Sequence, residues 1–409
     1  MIEDALRPIH DLALPGYGLA DRAAMTQLRR CAVRAEKRGL WKSLGSITYR
    51  HRALVGALFP RSSDVRWARA HSNKGGLRQR WERLLLVALM RMHPDTYYRL
   101  CLHDPERYAR AGEFVCFRQL RNLLAYMLEV VDPDVRATLM DKAKFYQFCR
   151  GQDIATPRIL ATWRPDSASF DLGEQTRSLF RQHGQVFFKP AAGMCGIGAG
   201  VLSTAAHGCW EIRSGQGPID QLEWKDVEAY FRTAKDAFVF QERLRNHVDL
   251  ASFGQHALHT VRLTTFRLNG KISPQAASLR IASRRTVADN FAAGGVAVKV
   301  DVASGRLGTG AMKAHESAPA SLEVLPDTGQ TFKGVTLPHW AESLALACRL
   351  HGLLAALPSI GHDIAITDQG PVIVEANENW DGDLLQKPSD SGLGRSAFPA
   401  LIAEHFPSR

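Results

Sequence analysis

The sequence predicts an α+β protein: a basic, mainly helical region over residues 1–131, then a region of mixed strands and helices over 132–409. Three observations predict it. Residues 15–130 carry apolar side chains at helical spacing and show no strand-rich βαβ pattern. From about Asp132, short apolar strands alternate with helices, and residues 258–302 repeat with the two-residue period of strands. Near the C-terminus, "GHDIAITDQGPVIVEANENW" (361–380) places two apolar runs around Asp368-Gln369-Gly370, the pattern of a β-hairpin.

Taken in order, "DRAAMTQLRRCAVRAEKRGLW" sets Met25, Leu28, Ala32 and Ala35 on one helical face, and "LRQRWERLLLVALMRMH" and "FRQLRNLLAYMLEVV" predict two further helices. "DKAKFYQFCRGQDIATP" predicts a helix capped by Asp141, with Phe145, Phe148 and Cys149 on one face, ending before Pro157. A strand (158–162), a helix (about 173–183), the strand "QVFFKP", a glycine-rich loop, a strand at 200–202, a helix (about 224–233) and the strand "AFVFQERL" follow. "HTVRLTTFRLNGKI", "AASLRIAS" and "GGVAVKVD" read as strands, 311–335 as a loop-like insertion, and 338–358 as a core helix leading into the hairpin.

Composition bounds the function. A chain of 409 residues, 45% of them hydrophobic, can bury a large core. The longest apolar run, "LLLVALM" at 84–90, suits a helix core rather than a bilayer span. No h-region of a signal peptide opens the chain, and the seven cysteines are scattered without a CxxC pair, so reduced thiols and a cytoplasmic location are expected. The net charge of +11 is uneven: residues 1–140 hold 24 Lys+Arg against 14 Asp+Glu. An arginine-rich solvated helical surface is the first reading, and a face for an acidic partner is the second. No nucleic-acid-binding module signature is present, so nucleic acid is not expected as a partner. The oligomeric state is open, a homo-oligomer included.

Two stretches carry chemistry. In "FFKPAAGMCGIGAGVL" (187–202), Gly193, Gly196, Gly198 and Gly200 let backbone N–H groups approach an anion, and Lys189 could set an ammonium on the same phosphates. The loop runs into another strand, so it reads as a flap between strands rather than a dinucleotide fingerprint; a plain flexible turn is the alternative. In the hairpin, a three-residue loop with Gly370 in the left-handed region would set Thr367 opposite Pro371, Ala365 opposite Ile373, and Asp363 opposite Glu375. Asn377 then shares their face. Facing carboxylates repel unless a cation lies between them. Two carboxylates and an amide suit Mg²⁺, with Mn²⁺ as an alternative; a solvent-facing acidic pair is the competing reading.

Together, these stretches resemble the ATP-grasp superfamily, from about Asp132 to Pro388. "DKAKFYQFC…IATP" resembles its first motif, which implies that Lys142 touches nucleotide phosphates. "VFFKPAAGMCGIGAG" resembles the second lysine and glycine flap, implying Lys189, Gly193, Gly196 and Gly198. "FVFQERL" resembles the hinge strand that meets adenine, implying Gln241, Glu242 and Leu244. "DIAITDQGPVIVEAN" resembles the metal hairpin, implying Asp363, Glu375 and Asn377. "HTVRLTTF", "SLRIA" and "DNFAAGG" are similar to blocks of the sugar-transfer-associated, α-L-glutamate-ligase-related group. That implies Arg262 and Arg280 on phosphate or carboxylate, Asn290 near the phosphates, and Asp249 toward the ribose.

The resemblance implies two lobes gripping ATP, a smaller one at about 155–245 and a larger one at about 246–409. It also implies Mg²⁺-dependent carboxylate–amine ligation through an acyl phosphate. The partners implied are small carboxylates and amines, including sugar- or nucleotide-linked ones. A phosphotransferase on the same fold, or a nucleotide-regulated binding protein, is the alternative. "NENWDGD" offers Trp380 and Asp381 where many such ligases carry an arginine for the acyl substrate, so an ordinary amino-acid clamp is not expected.

Overall fold

The computed structural model describes residues 14–36, 40–164, 173–192, 197–214, 217–234, 236–282, 291, 294–313 and 321–406. Helices α1 (Arg22–Glu36), α2 (Leu40–Leu58), α3 (Ser62–Ser72), α4 (Gly76–Met90) and α5 (Phe117–Met127) form the N-terminal region. Helical spacing explains the packing of α1, which buries Met25, Leu28, Cys31 and Ala32. A polar network holds α4: the Lys74 ammonium lies 2.8 Å from the Glu82 carboxylate, and the hydroxyls of Tyr97 and Tyr98 donate to Glu82 and Gln79. Helices α6 (Pro133–Met140) and α7 (Lys142–Gly151) lead into the first lobe. The Asp141 carboxylate caps α7, accepting from the Ala143 and Lys144 N–H groups, and Phe145 and Cys149 are buried as their spacing predicts.

Two six-stranded antiparallel sheets follow. The first, in the order β1-β6-β2-β3-β4-β5, comprises β1 (Ile159–Trp163), β2 (Gln185–Pro190), β3 (Gly200–Thr204), β4 (Trp210–Ser214), β5 (Gly217–Leu222) and β6 (Phe238–Glu242). Helices α8 (Glu174–His183) and α9 (Trp224–Arg232) add Phe180, Val227 and Phe231 to an aromatic core with Trp163, Phe188, Trp210 and Phe240. The sequence reading left β4 and β5 unassigned. Strand β5, "GPIDQL", is a mostly exposed edge without buried alternation, so it carries no period-two signal.

The second sheet, in the order β10-β9-β8-β7-β11-β12, comprises β7 (Thr260–Leu268), β8 (Lys271–Ile281), β9 (Val296–Val300), β10 (Leu307–Met312), β11 (Ser359–Thr367) and β12 (Gly370–Asn377). One face, with Val261, Leu263, Ile364 and Ile373, packs on helix α10 (Trp340–Leu353) through Ala347 and Leu350. On that side the Thr265 hydroxyl bridges His351 and His362, and burial pushes the two histidines down to about 4 and about 3, so both are neutral. Residues of the opposite face, Phe266 and Ala297, share a core with Trp380 and Leu384 and with α1, α5 and α11 (Phe398–His405). The N-terminal helices are thus built onto the second sheet. Arg99 pairs with the buried Asp383, Arg107 donates to the Lys387 carbonyl at 3.0 Å, and the Gln386 amide oxygen accepts from the Val115 N–H.

The hairpin register differs from expectation at its turn. Thr367 pairs with Gly370, so the loop is the two residues Asp368-Gln369, and Ala365 faces Val372 rather than Ile373. A bulge at Val374 then inserts one residue, and beyond it Asp363 faces Glu375. The two one-residue departures cancel. Gly370 adopts φ +112°, outside the compact left-handed well a three-residue loop would use. Among the described residues, Cys31, Cys101, Cys116, Cys149, Cys209 and Cys348 are free thiols. No helix among them is long and apolar enough to cross a membrane.

Candidate active site

Strand pairing aligns Lys299, Ser278, Arg262, Asp363 and Glu375 in one row across β9, β8, β7, β11 and β12. Alternation sends Arg262 and Arg280 to the same face. The Arg262 guanidinium donates to both oxygens of Asp363, at 2.5 and 3.1 Å. Arg280 lies 3.0 Å from Asp363 Oδ2 and donates from Nε to the Thr260 hydroxyl at 3.0 Å. Asp363 is buried, which would raise its pKa, but the two guanidiniums outweigh burial and hold the carboxyl below the usual range.

Two lysines complete the cluster, Lys189 from the first sheet and Lys142 from α7, whose Phe145 and Cys149 pack into the core of the second sheet. The first turn of α7 docks on the end of β2, where the Lys142 N–H donates to the Ala191 carbonyl. The Lys142 ammonium reaches within 3.8 Å of Glu375. Lys189, near the end of β2, is buried. Burial first, and the neighbouring Lys142 second, lower its pKa to about 8 against the opposing pull of Glu375 and Asp363. The structure therefore brings Lys142, Lys189, Arg262, Arg280, Asp363 and Glu375 into one electrostatic cluster. Asn377 lies two residues beyond Glu375, paired with Gly361, and its buried amide nitrogen has no hydrogen-bond partner.

Gly361 shows how closely this corner is packed. A Cβ there would stand 2.6 Å from Trp380 Cβ and 3.3 Å from Arg262 Cδ. Trp380 thus lies directly on the strand beside Arg262, fixed by its indole N–H to the Ser359 hydroxyl at 3.1 Å and stacked with Phe266. The sequence reading noted Trp380 only as a missing arginine. A glycine inside a fully buried strand was the available signal that another group approaches closely there.

The hinge is pinned at both ends. Glu242 accepts from the Arg158 N–H at 2.9 Å, and Arg243 donates to the Gln185 side chain at 2.5 Å and to the His256 carbonyl at 3.3 Å. Gln241 is buried in the ladder, opposite Ile159 and Phe187. Leu244 follows where the ladder stops, half-buried and outside both sheets. Asp249 is exposed in a turn tied to the hairpin tip, where the Val248 N–H donates to Asp368. Five residues of strand, roughly 17 Å, separate that tip from Asp363, so the structure does not bring Asp249 to the cluster. Gly198 adopts φ +75° beside Pro190. Gly193, Gly196 and Asn290 lie outside the described residues.

The donor chemistry fits a hard divalent cation. A carboxylate offers about four lone-pair positions. Three on Asp363 are taken by the arginines, and one remains on Oδ1. Among the described residues Glu375, half-buried, has its near ionic contact with Lys142 at 3.8 Å. The unpartnered Asn377 amide nitrogen is a donor suited to a phosphate oxygen or a water, and the ion would be met by the side-chain oxygen instead. Among the described residues no group of three or more His, Cys, Asp or Glu could hold a metal, so protein ligands here would be two carboxylates and an amide, the rest coming from phosphate and water.

Residues 123–398 match the family model described as sugar-transfer associated ATP-grasp. Among solved structures, the chain is 14% identical to D-alanyl-alanine synthetase A from Vibrio cholerae O1 biovar eltor str. N16961 (68% of this chain, 63% of that one, TM-score 0.36). It is 13% identical to D-alanine–D-alanine ligase from Bacillus anthracis (67% and 69%, TM-score 0.36). It is 11% identical to L-amino acid ligase from Bacillus licheniformis (66% and 49%, TM-score 0.34). These are distant likenesses, and the chain spans less than two thirds of the Vibrio and licheniformis proteins. No curated protein matches. By the span of the family match, over a chain with two antiparallel sheets and the lysine–carboxylate cluster between them, the chain belongs to the sugar-transfer associated ATP-grasp family.

Proposed function

We propose that the protein is an ATP-dependent carboxylate–amine ligase that forms an amide through an acyl phosphate. The observation that carries this reading is the meeting of Lys142 and Lys189 with Glu375, beside Asp363 and its two arginines. Four cations and two carboxylates at one place suit a triphosphate with a divalent ion.

In this reading, the backbone at Glu242–Leu244 meets the adenine, and Lys142, Lys189 and the glycine flap hold the phosphates. Glu375, the Asn377 side-chain oxygen and the remaining Asp363 position would hold Mg²⁺, which would supply charge neutralisation on the phosphate oxygens. Lys189 and Arg262 orient the terminal phosphoryl group toward the acid. The substrate carboxylate oxygen forms a bond to the γ-phosphorus as the bond to ADP breaks. The amine nitrogen then bonds to the acyl carbon as the acyl C–O bond breaks, inorganic phosphate leaves with that oxygen and the bonding electron pair, and the nitrogen gives up a proton to solvent. Positioning and charge supply the rate; no protein nucleophile is required. Trp380, buried beside Arg262, packs against Gly361 and Phe266 and would hold the strand that carries Arg262 in place.

The reading is tested by screening acids and amines for ADP release with mass detection of products. An amide with one ADP and one phosphate per turnover supports it. A stable phosphorylated product, or no ADP release with any pair, overturns it. Lys189 adds a pH test. Its ammonium is held down to about 8, so it carries charge below that pH and loses it above. Because kcat/KM reports the free enzyme, kcat/KM for Mg·ATP should fall as pH rises through 8. Lys189→Met should remove that limb and cost roughly 100-fold at neutral pH.

A further inference from the structure

Helix α4 buries polar and apolar side chains together, Gln79, Glu82 and Arg83 beside Leu86, Val87 and Met90, while Leu77, Trp81 and Leu89 are 65%, 44% and 56% exposed. Leu77, Trp81, Leu85 and Ala88 recur at helical spacing on a side that is exposed or half-exposed, an apolar stripe left without a packing partner in the core clusters. Rotation about the helix axis cannot hide it, because the polar side is locked. Glu82 meets Lys74 at 2.8 Å and Tyr97 at 2.6 Å, and Arg83 donates to the carbonyls of Ala57 and Gly56 at 2.9 and 3.0 Å. Helix α2 repeats the pattern more weakly: Ala53 and Ala57 are buried, while Val55 and Phe59 are 57% and 75% exposed.

The same helices carry a surplus of positive charge. Residues 48–91 hold 10 Lys+Arg against 2 Asp+Glu, a surplus of 8 and most of the +10 of residues 1–140. Lys74 and Arg83 are buried, but Arg50, Arg52, Arg61, Arg66, Arg69, Arg80 and Arg91 are exposed. A second copy docked here would set two such surpluses against each other. A nucleic-acid backbone would match the arginines and leave the leucines and tryptophan without a role. A surface that is anionic outside and apolar just beneath satisfies both, with Trp81 suited to the boundary between them.

We propose that the outward face of α2–α4 docks the protein peripherally on an anionic lipid bilayer. The test is flotation of the full chain with vesicles of phosphatidylcholine alone and with 30% phosphatidylglycerol, on the order of tenfold separation being expected between them. Leu77→Ser with Trp81→Ser, and separately Arg66→Glu with Arg80→Glu, should each lower binding to the anionic vesicles at least tenfold, the charge variant losing its salt dependence as well. All four side chains are exposed or partly so, and circular-dichroism melting checks that the variants stay folded. Brominated lipid should quench part of the tryptophan emission, and Trp81→Phe should remove that part while binding persists. Equal binding to both vesicle types, no binding, or unchanged binding by the apolar variant overturns the proposal. So does a lipid-free dimer that Leu77→Ser with Trp81→Ser dissociates, or a preference for duplex DNA over the anionic vesicles.

Discussion

Replacing Glu375 by Gln is expected to leave a folded protein whose Mg·ATP turnover falls at least 100-fold. The side chain is a third exposed, and its one near ionic partner, Lys142, is 3.8 Å away. A pair so long and so wetted contributes little to stability, on the order of a few tenths of a kcal/mol. The amide keeps the shape and removes the charge. What is lost is the carboxylate with the most free lone pairs in the cluster, since Asp363 is largely occupied by Arg262 and Arg280. Charge neutralisation at a bound divalent ion is worth several kcal/mol, and about 2.7 kcal/mol corresponds to 100-fold in rate. The check is ADP release with the substrate pair found by the screen, across a Mg²⁺ titration, beside a thermal melt. An unchanged melt with turnover lost is the expected pair of results. Normal turnover in Glu375→Gln would remove Glu375 from the metal site.

Much of this was legible in the sequence. The cap at Asp141 and the strand 185–190 follow from capping chemistry and from period-two alternation, which are local. The opposition of Asp363 and Glu375 holds only because the shorter turn and the bulge at Val374 offset each other. The turn was misread because Asp368-Gln369-Gly370 fits either a two- or a three-residue loop, and the bulge at Val374 leaves no residue signature. The arginine clamp on Asp363 could not be read, since it depends on which strands lie beside β11, and that is set by topology. Strand neighbours separated by about a hundred residues, such as Arg262 and Asp363, have no local trace. "LLLVALM" reads as core, and Leu86, Val87 and Met90 are indeed buried. The exposure of Leu77, Trp81 and Leu89 on the same helix could not be read, because it depends on the buried partners of Glu82 and Arg83, which are distant in sequence.

The opposite pattern is expected one strand away. Asp363→Asn should abolish turnover and also destabilise the protein by about 3 kcal/mol, because it leaves two guanidiniums without their carboxylate, one of them buried. For a chain of this size that is a fall in Tm on the order of 3–4 °C. Glu375→Gln should show no such fall, although the two residues face each other across the same pair of strands. Acid separates this electrostatic origin from lost packing. The folded-state pKa of Asp363 is depressed, so its contribution is fully present above the unfolded value of about 4 and is lost as pH falls toward the folded one. The Tm gap between wild type and Asp363→Asn should therefore be constant from about pH 8 to 5 and close progressively in acid. A gap that stays constant down to about pH 2 would assign the loss to packing instead of charge. Restoring the pairing differently gives a second readout. Arg262→Met in the Asp363→Asn background removes one stranded charge and should recover part of the lost Tm without recovering turnover, since the phosphate-facing cation is gone as well.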